Sequence, residues 1–297
     1  MPMKRKRRPA GGRCRARRRV VMLLVVVLAV LLLWPSPVEL DSLTSPKAIL
    51  MDADSGEVLA EKKADDPIYP ASMTKMMTAL LAIEAIPDPG RAVTLPAEMF
   101  PPLQAQGASM AGFLPGETVT VEDLLYGALL PSGAECCVAL AREVSGTEES
   151  FVTLMNQKAA ELGMNATHFC NSTGLHDPEH VSTVRDMVLL LRAALQNETF
   201  RGILGTERYT VPPTNLHPDG FTMESTFWSE LDDTELRRGK FLGGKTGYTS
   251  AAGLCLASAA EVKGKTYLMV TAGAQGNHNT EPYHIDDTVN VCRQLAR

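Results

Sequence analysis

Residues 1–19 hold ten Lys or Arg and no acid, and the fifteen residues Val20–Trp34 that follow carry no polar side chain. As a helix this apolar run reaches about 22 Å, short of the ~30 Å hydrocarbon core of a bilayer. It reads as an uncleaved anchor whose flanking arginines snorkel to make up length, or as the apolar part of a secretory signal peptide. Pro35–Asp41 offers no clear small-x-small cleavage site, which favours the anchor. Either way, residues 1–19 are expected as a basic cytoplasmic tail and the rest of the chain is expected outside, tethered to the membrane or secreted if cleaved. The ten cations are an end feature. Without them 19 basic residues face 34 acidic ones, so the remainder is acidic, and nucleic acid is not expected as a partner.

Residues 35–46 are rich in Pro and Ser and read as a linker. One folded domain is expected over residues 47–297, since no repeat or second composition regime interrupts it. Lys47–Asp54 and Glu57–Glu61 read as two strands around a Ser55-Gly56 turn. Helical periodicity marks 72–85, 121–130, 135–144, 149–162 and 186–196. Residues 251–260 and 265–274 read as a β-hairpin, and 283–295 as a short amphipathic helix. Strands at both ends with helices between them predict an α+β fold, an antiparallel sheet flanked by helices plus a mostly helical lobe. Cys136, Cys137, Cys170, Cys255 and Cys292 would face an oxidising exterior, and their odd number leaves at least one thiol free. No ligand spacing argues for a metal. His168, His176 and His180 read as surface or hydrogen-bonding histidines.

Three short motifs carry the chemistry. Ser72-Met73-Thr74-Lys75 opens the first long helix. Positions i and i+3 share a helix face, so the Lys75 amine can reach the Ser72 hydroxyl. A serine needs such a base to become a nucleophile, and Lys75 serves only if neutral. Burial and a second cation, for which Lys245 is the candidate, would both lower its pKa. Ser132-Gly133-Ala134 places a second hydroxyl at a helix start, suited to relay a proton to a leaving amine. Lys245-Thr246-Gly247, after two further glycines and before a strand pattern, fits an edge strand that a substrate backbone approaches closely. Lys245 and Thr246 suit a substrate carboxylate. The N–H groups of Ser72 and Tyr248 suit an oxyanion.

Together these motifs resemble the penicillin-binding proteins and serine β-lactamases. The surrounding wording resembles the serine D-alanyl-D-alanine carboxypeptidases, notably in Tyr69–Thr78, Leu130–Gly133, Leu162–Phe169, Thr173–Asp177 and Gly244–Thr249. The resemblance covers roughly residues 46–280. It implies a β-lactamase/transpeptidase-like fold and an enzyme that needs no cofactor. That enzyme removes the terminal D-Ala from peptidoglycan stem peptides through a Ser72 acyl-enzyme and is acylated by β-lactam antibiotics. Ser72, Lys75 and Ser132 are then catalytic, and Lys245, Thr246, Gly247 and Tyr248 bind substrate. Two departures stand out. Ala134 occupies the place of the family's usual Asn, where Glu135 is a possible substitute acceptor, and residues 271–290 lack the Arg often found after the last strand. Many relatives also carry a C-terminal β-domain, which is not expected here. Ala134 keeps open a catalytically impaired scaffold protein of the cell wall. A β-lactamase is disfavoured by the lack of a Glu-x-x-Leu-Asn segment between the second and third motifs. The resemblance also implies that Cys170 lies near Cys136 and Cys137, hence a disulfide from Cys170 to one of them, with Cys255 free and buried.

Overall fold

The computed structural model describes residues 38–231, 236, 238–277 and 279–297. The basic tail, the apolar run, Cys14 and the first residues of the expected linker lie outside the described residues. A five-stranded antiparallel sheet is built from β1 (Lys47–Asp52), β2 (Val58–Lys62), β7 (Gly239–Thr249), β8 (Gly253–Val262) and β9 (Lys265–Ala274), in the order β2-β1-β9-β8-β7. Its central strands are buried on both faces, so they read as nearly continuous apolar runs. Alternation sorts their side chains. Ile49, Met51, Leu268 and Val270 enter the main core, while Ala48, Leu50 and Met269 face the opposite layer.

One face is covered by helix α6 (Val184–Ala194) and the other by the C-terminal helix α9 (Tyr283–Ala296). The helical lobe forms around α1 (Lys75–Ala85), which is buried on nearly all sides. Packed about it are α3 (Val121–Leu129), α4 (Ala134–Ser145) and α5 (Glu148–Glu161). A Thr120–Asp123 capping box starts α3, and Thr147 and Thr183 cap α5 and α6. The lobe adds the short helices α2 (Phe100–Ala105), α7 (Glu198–Leu204) and α8 (Thr226–Glu230). It also adds two ribbons, β3 (Ala92–Thr94) with β4 (Thr118–Thr120) and β5 (Arg208–Val211) with β6 (Phe221–Glu224). None of these smaller pieces was anticipated from the sequence.

Two expectations are corrected. Residues 38–46 form a packed strap, not a linker. Leu40 and Leu43 are buried with Val291 of α9, and the Asp287 carboxylate accepts from the backbone N–H groups of Thr44 and Ser45 at 2.9 and 2.7 Å. The expected disulfide is absent. Cys136, Cys137, Cys170, Cys255 and Cys292 are all free thiols. Cys136 and Cys137 are core residues of α4, and Cys170 sits half-buried in a separate loop near His168.

Candidate active site

Ser72 stands on a 3-10 turn, Ala71–Thr74, which leads directly into α1. Ala71 holds a left-handed φ of 47°. Gly174, itself at φ +80°, packs so tightly that a Cβ there would lie 1.8 Å from the Ala71 carbonyl oxygen. The turn is thus locked by a loop about a hundred residues later. Lys75 Nζ donates to Ser72 Oγ at 2.8 Å and to the Thr173 carbonyl at 2.8 Å. Burial pushes the Lys75 ammonium down, against Cys137, Glu135 and Cys136, which act to raise it. Burial holds the Cys137 thiol up at about 12, so it stays protonated.

The Thr173–Gly174 turn is ordered by Asn171. Its Oδ1 accepts from the Thr173 N–H at 3.1 Å, the Thr173 hydroxyl at 2.9 Å and the Gly174 N–H at 2.7 Å. His180 adds a second clasp. Its Nδ1 accepts from the Cys170 N–H at 3.1 Å, so its Nε2–H donates to the Thr74 hydroxyl at 2.8 Å. Burial lowers His180 to about 4, in keeping with a neutral ring. Among the described residues no three His, Cys, Asp or Glu side chains converge as metal ligands.

Opposite Ser72 runs β7, one of the sheet's two edge strands. A Cβ on Gly247 would lie 3.1 Å from the Ser72 nitrogen, tighter than most Cβ contacts, so glycine eases the close approach of this backbone to the Ser72 N–H. Ser72, Ser132, Thr246, Gly247 and Tyr248 all line one cleft of about 140 Å³. Ser132 has a left-handed φ of 69°, and its buried hydroxyl has no hydrogen-bond partner. Backbone strain and an unmet hydrogen bond thus coincide at Ser132. Thr246 shares a 2.6 Å hydroxyl contact with Thr226 of α8, a cleft residue not foreseen from sequence.

Two side chains differ from expectation. Lys245 does not line the cleft. It is fully buried, and its Nζ donates to the Thr246 carbonyl at 2.9 Å. Burial, and then repulsion from Lys75, push Lys245 well below its ordinary range. Glu135, beside Ala134, is largely engaged elsewhere, and its Oε2 is buried with no hydrogen-bond partner. Its carboxylate turns into the 111–112 loop and accepts from the N–H groups of Ala111 at 2.7 Å and Gly112 at 3.1 Å.

Comparison with known proteins places this geometry. Residues 35–276 match the sequence profile of the D-alanyl-D-alanine carboxypeptidases. The D-alanyl-D-alanine carboxypeptidase DacF of Bacillus subtilis is 36% identical over 232 residues, 76% of this chain and 57% of that protein. DacC of Escherichia coli is 33% identical over 244 residues, 80% and 58% respectively, so the chain spans less than three-fifths of either relative. The crystal structure of the Streptomyces K15 DD-transpeptidase superposes with a TM-score of 0.77 at 27% identity, covering 86% of this chain and 97% of that one. The D-alanyl-D-alanine carboxypeptidase of Mycobacterium tuberculosis H37Rv gives 0.73 at 27% identity, covering 87% and 92%. The fold is thus the β-lactamase/transpeptidase-like one. With a serine and a lysine joined on one turn under a glycine-lined edge strand, the chain belongs to the D-alanyl-D-alanine carboxypeptidase family.

Proposed function

We propose that the protein is a serine carboxypeptidase that removes the terminal D-Ala from peptidoglycan stem peptides and is acylated by β-lactams. The observation that carries this reading is the 2.8 Å contact of Lys75 Nζ with Ser72 Oγ beneath the Gly247 backbone. Burial favours a neutral Lys75 amine, which takes the Ser72 proton as Oγ attacks the carbonyl carbon. The oxyanion forms beside the N–H groups of Ser72 and Tyr248. Its collapse expels the D-Ala amine, which receives a proton passed from Lys75 through Ser132. Water then cleaves the Ser72 ester and restores the hydroxyl. The substrate strand adds to the edge of β7, with Thr246 and Gly247 as contacts and Lys245 acting on the cleft from behind. The ten cations before fifteen apolar residues support an extracytoplasmic domain tethered through the N-terminal segment.

The decisive test is D-Ala release from a diacylated D-Ala-D-Ala peptide, together with labelled-penicillin acylation. Ser72→Ala and Lys75→Ala are each expected to abolish covalent labelling, with the circular dichroism spectrum of the wild type retained. Ala134 favours one second reading, a wall-binding homologue impaired in catalysis. That reading requires absent labelling in the wild type.

A further inference from the structure

The second half of the proposed reaction, attack of water on the Ser72 ester, needs a base of its own. Glu230 is the one carboxylate among the described residues that line the cleft with Ser72. It ends α8, one turn after Thr226, so the two side chains share a face of that helix. Thr226 meets the Thr246 hydroxyl at 2.6 Å, and Thr246 suits the carboxylate of the leaving D-Ala. Glu230 therefore stands on the leaving-group side of Ser72. Its side chain is 32% exposed, open to the water that a base must reach. In sequence it lies between the second and third motifs, outside any Glu-x-x-Leu-Asn pattern.

His284 fixes this carboxylate. The ring sits at the start of α9, lines the same cleft and is buried. Its Nε2 lies 3.3 Å from Glu230 Oε2, while its Nδ1 is buried with no hydrogen-bond partner among the described residues. The ring thus turns its one partnered polar edge to Glu230. A hydrogen on Nε2 faces the carboxylate and orients it.

We propose that Glu230 is the general base of deacylation and that His284 is its positioning residue. The proposal rests on the carboxypeptidase reading. Departure of D-Ala empties the leaving-group side, and water enters there. Glu230 takes one proton from that water as its oxygen attacks the ester carbonyl carbon. Collapse of the tetrahedral intermediate breaks the bond from that carbon to Ser72 Oγ, and Glu230 returns the proton to Oγ. Ester and water become a peptide acid, whose own proton goes to solvent, and a serine hydroxyl. Lys75 ends the step as it began. A penicillin behaves differently. Its cleaved nitrogen stays tied to the acyl group through the fused ring, so the leaving-group side stays filled and the water is shut out. Peptide turnover and lasting acylation by penicillin then coexist in one cleft.

Rapid-quench kinetics of Glu230→Gln with a diacylated D-Ala-D-Ala peptide test the base. The variant is expected to release a first equivalent of D-Ala at the wild-type rate, then to turn over about a hundred-fold more slowly. Intact mass should find the acyl-enzyme accumulated. Acylation sets kcat/KM, so kcat and KM should fall together and their ratio should hold. Damage to the fold or a lost substrate contact would lower the ratio instead. Penicillin acylation should keep its wild-type rate. Glu230→Asp, which retains a carboxylate, should lose less, and His284→Gln should show the same paired fall at about ten-fold. Wild-type kcat in Glu230→Gln, no accumulated acyl-enzyme, or a fall in kcat/KM that matches the fall in kcat would each overturn the base while leaving the carboxypeptidase reading intact. A wild type that neither releases D-Ala nor labels with penicillin overturns that reading, and the base with it.

Discussion

A charged lysine amine sealed from water costs several kcal/mol, so the resting state of Lys75 is decided by its surroundings. Its contact with Ser72 was legible from i, i+3 spacing on a helix. The second partner was not, because a carbonyl such as that of Thr173 carries no side-chain signature. Asn171, two residues before Thr173 and three before Gly174, was the available signal for an Asx-type turn. Lys245 shows the reverse case: its motif was legible, but the burial of its amine behind the cleft was not. Ala134 invites a direct experiment. Glu135 Oε1 is committed to the 111–112 loop, while its Oε2 is buried without a partner. Restoring Asn at position 134 should return a side-chain hydrogen bond and raise penicillin acylation about ten-fold. Stopped-flow acylation of the two proteins compares them, and a slower Asn variant would refute the expectation.

Elements position these residues by two close approaches. In the first, β7 lies against the turn that carries Ser72. Gly247→Ala would bring a methyl to 3.1 Å from the Ser72 nitrogen and push the strand aside by a few tenths of an ångström. Acylation should fall by about ten-fold or more through misplacement alone, with the melting temperature little changed. In the second, the His180 loop clasps Thr74. Unfolded, His180 titrates near 6.5, and folded at about 4. Between these values the unfolded chain binds a proton that the folded chain refuses. The stability this creates is complete above pH 6.5 and is lost as pH falls towards 4, up to about 3 kcal/mol. Thermal melts across that range should show the loss, and His180→Gln should flatten it. An unchanged slope in the variant would place the acid sensitivity elsewhere. The long helices and the β8–β9 hairpin were readable because their periodicity is strong. The ribbon β5–β6 was not, since its strands have four residues each and are largely exposed.

At the scale of the molecule, strands at the two ends of the domain and helices between them predicted the fold class. The pairing of β1 with β9, Ile49 opposite Val270, was beyond reach, because nothing local encodes a partner so distant. Composition also misled, since Pro and Ser hid the paired burial of Leu40 and Leu43. The proposed topology has its own test: protease added to intact protoplasts should digest residues beyond the apolar run, and full protection would refute it. The strap has a further consequence. The backbone N–H of Glu39 donates to the Gln294 side chain at 2.9 Å, and Gln294 returns a bond to the Glu39 carbonyl at 3.1 Å. The two extremities of the folded unit therefore touch. A circular permutant that joins Arg297 to Val38 through a few glycines, with new termini opened in the exposed 212–216 loop, keeps every strand neighbour of the sheet. It should fold and still label with penicillin. A permutant that folds and labels would show that the sheet order, and not this chain connectivity, is what the fold needs; one that fails to fold would refute the expectation.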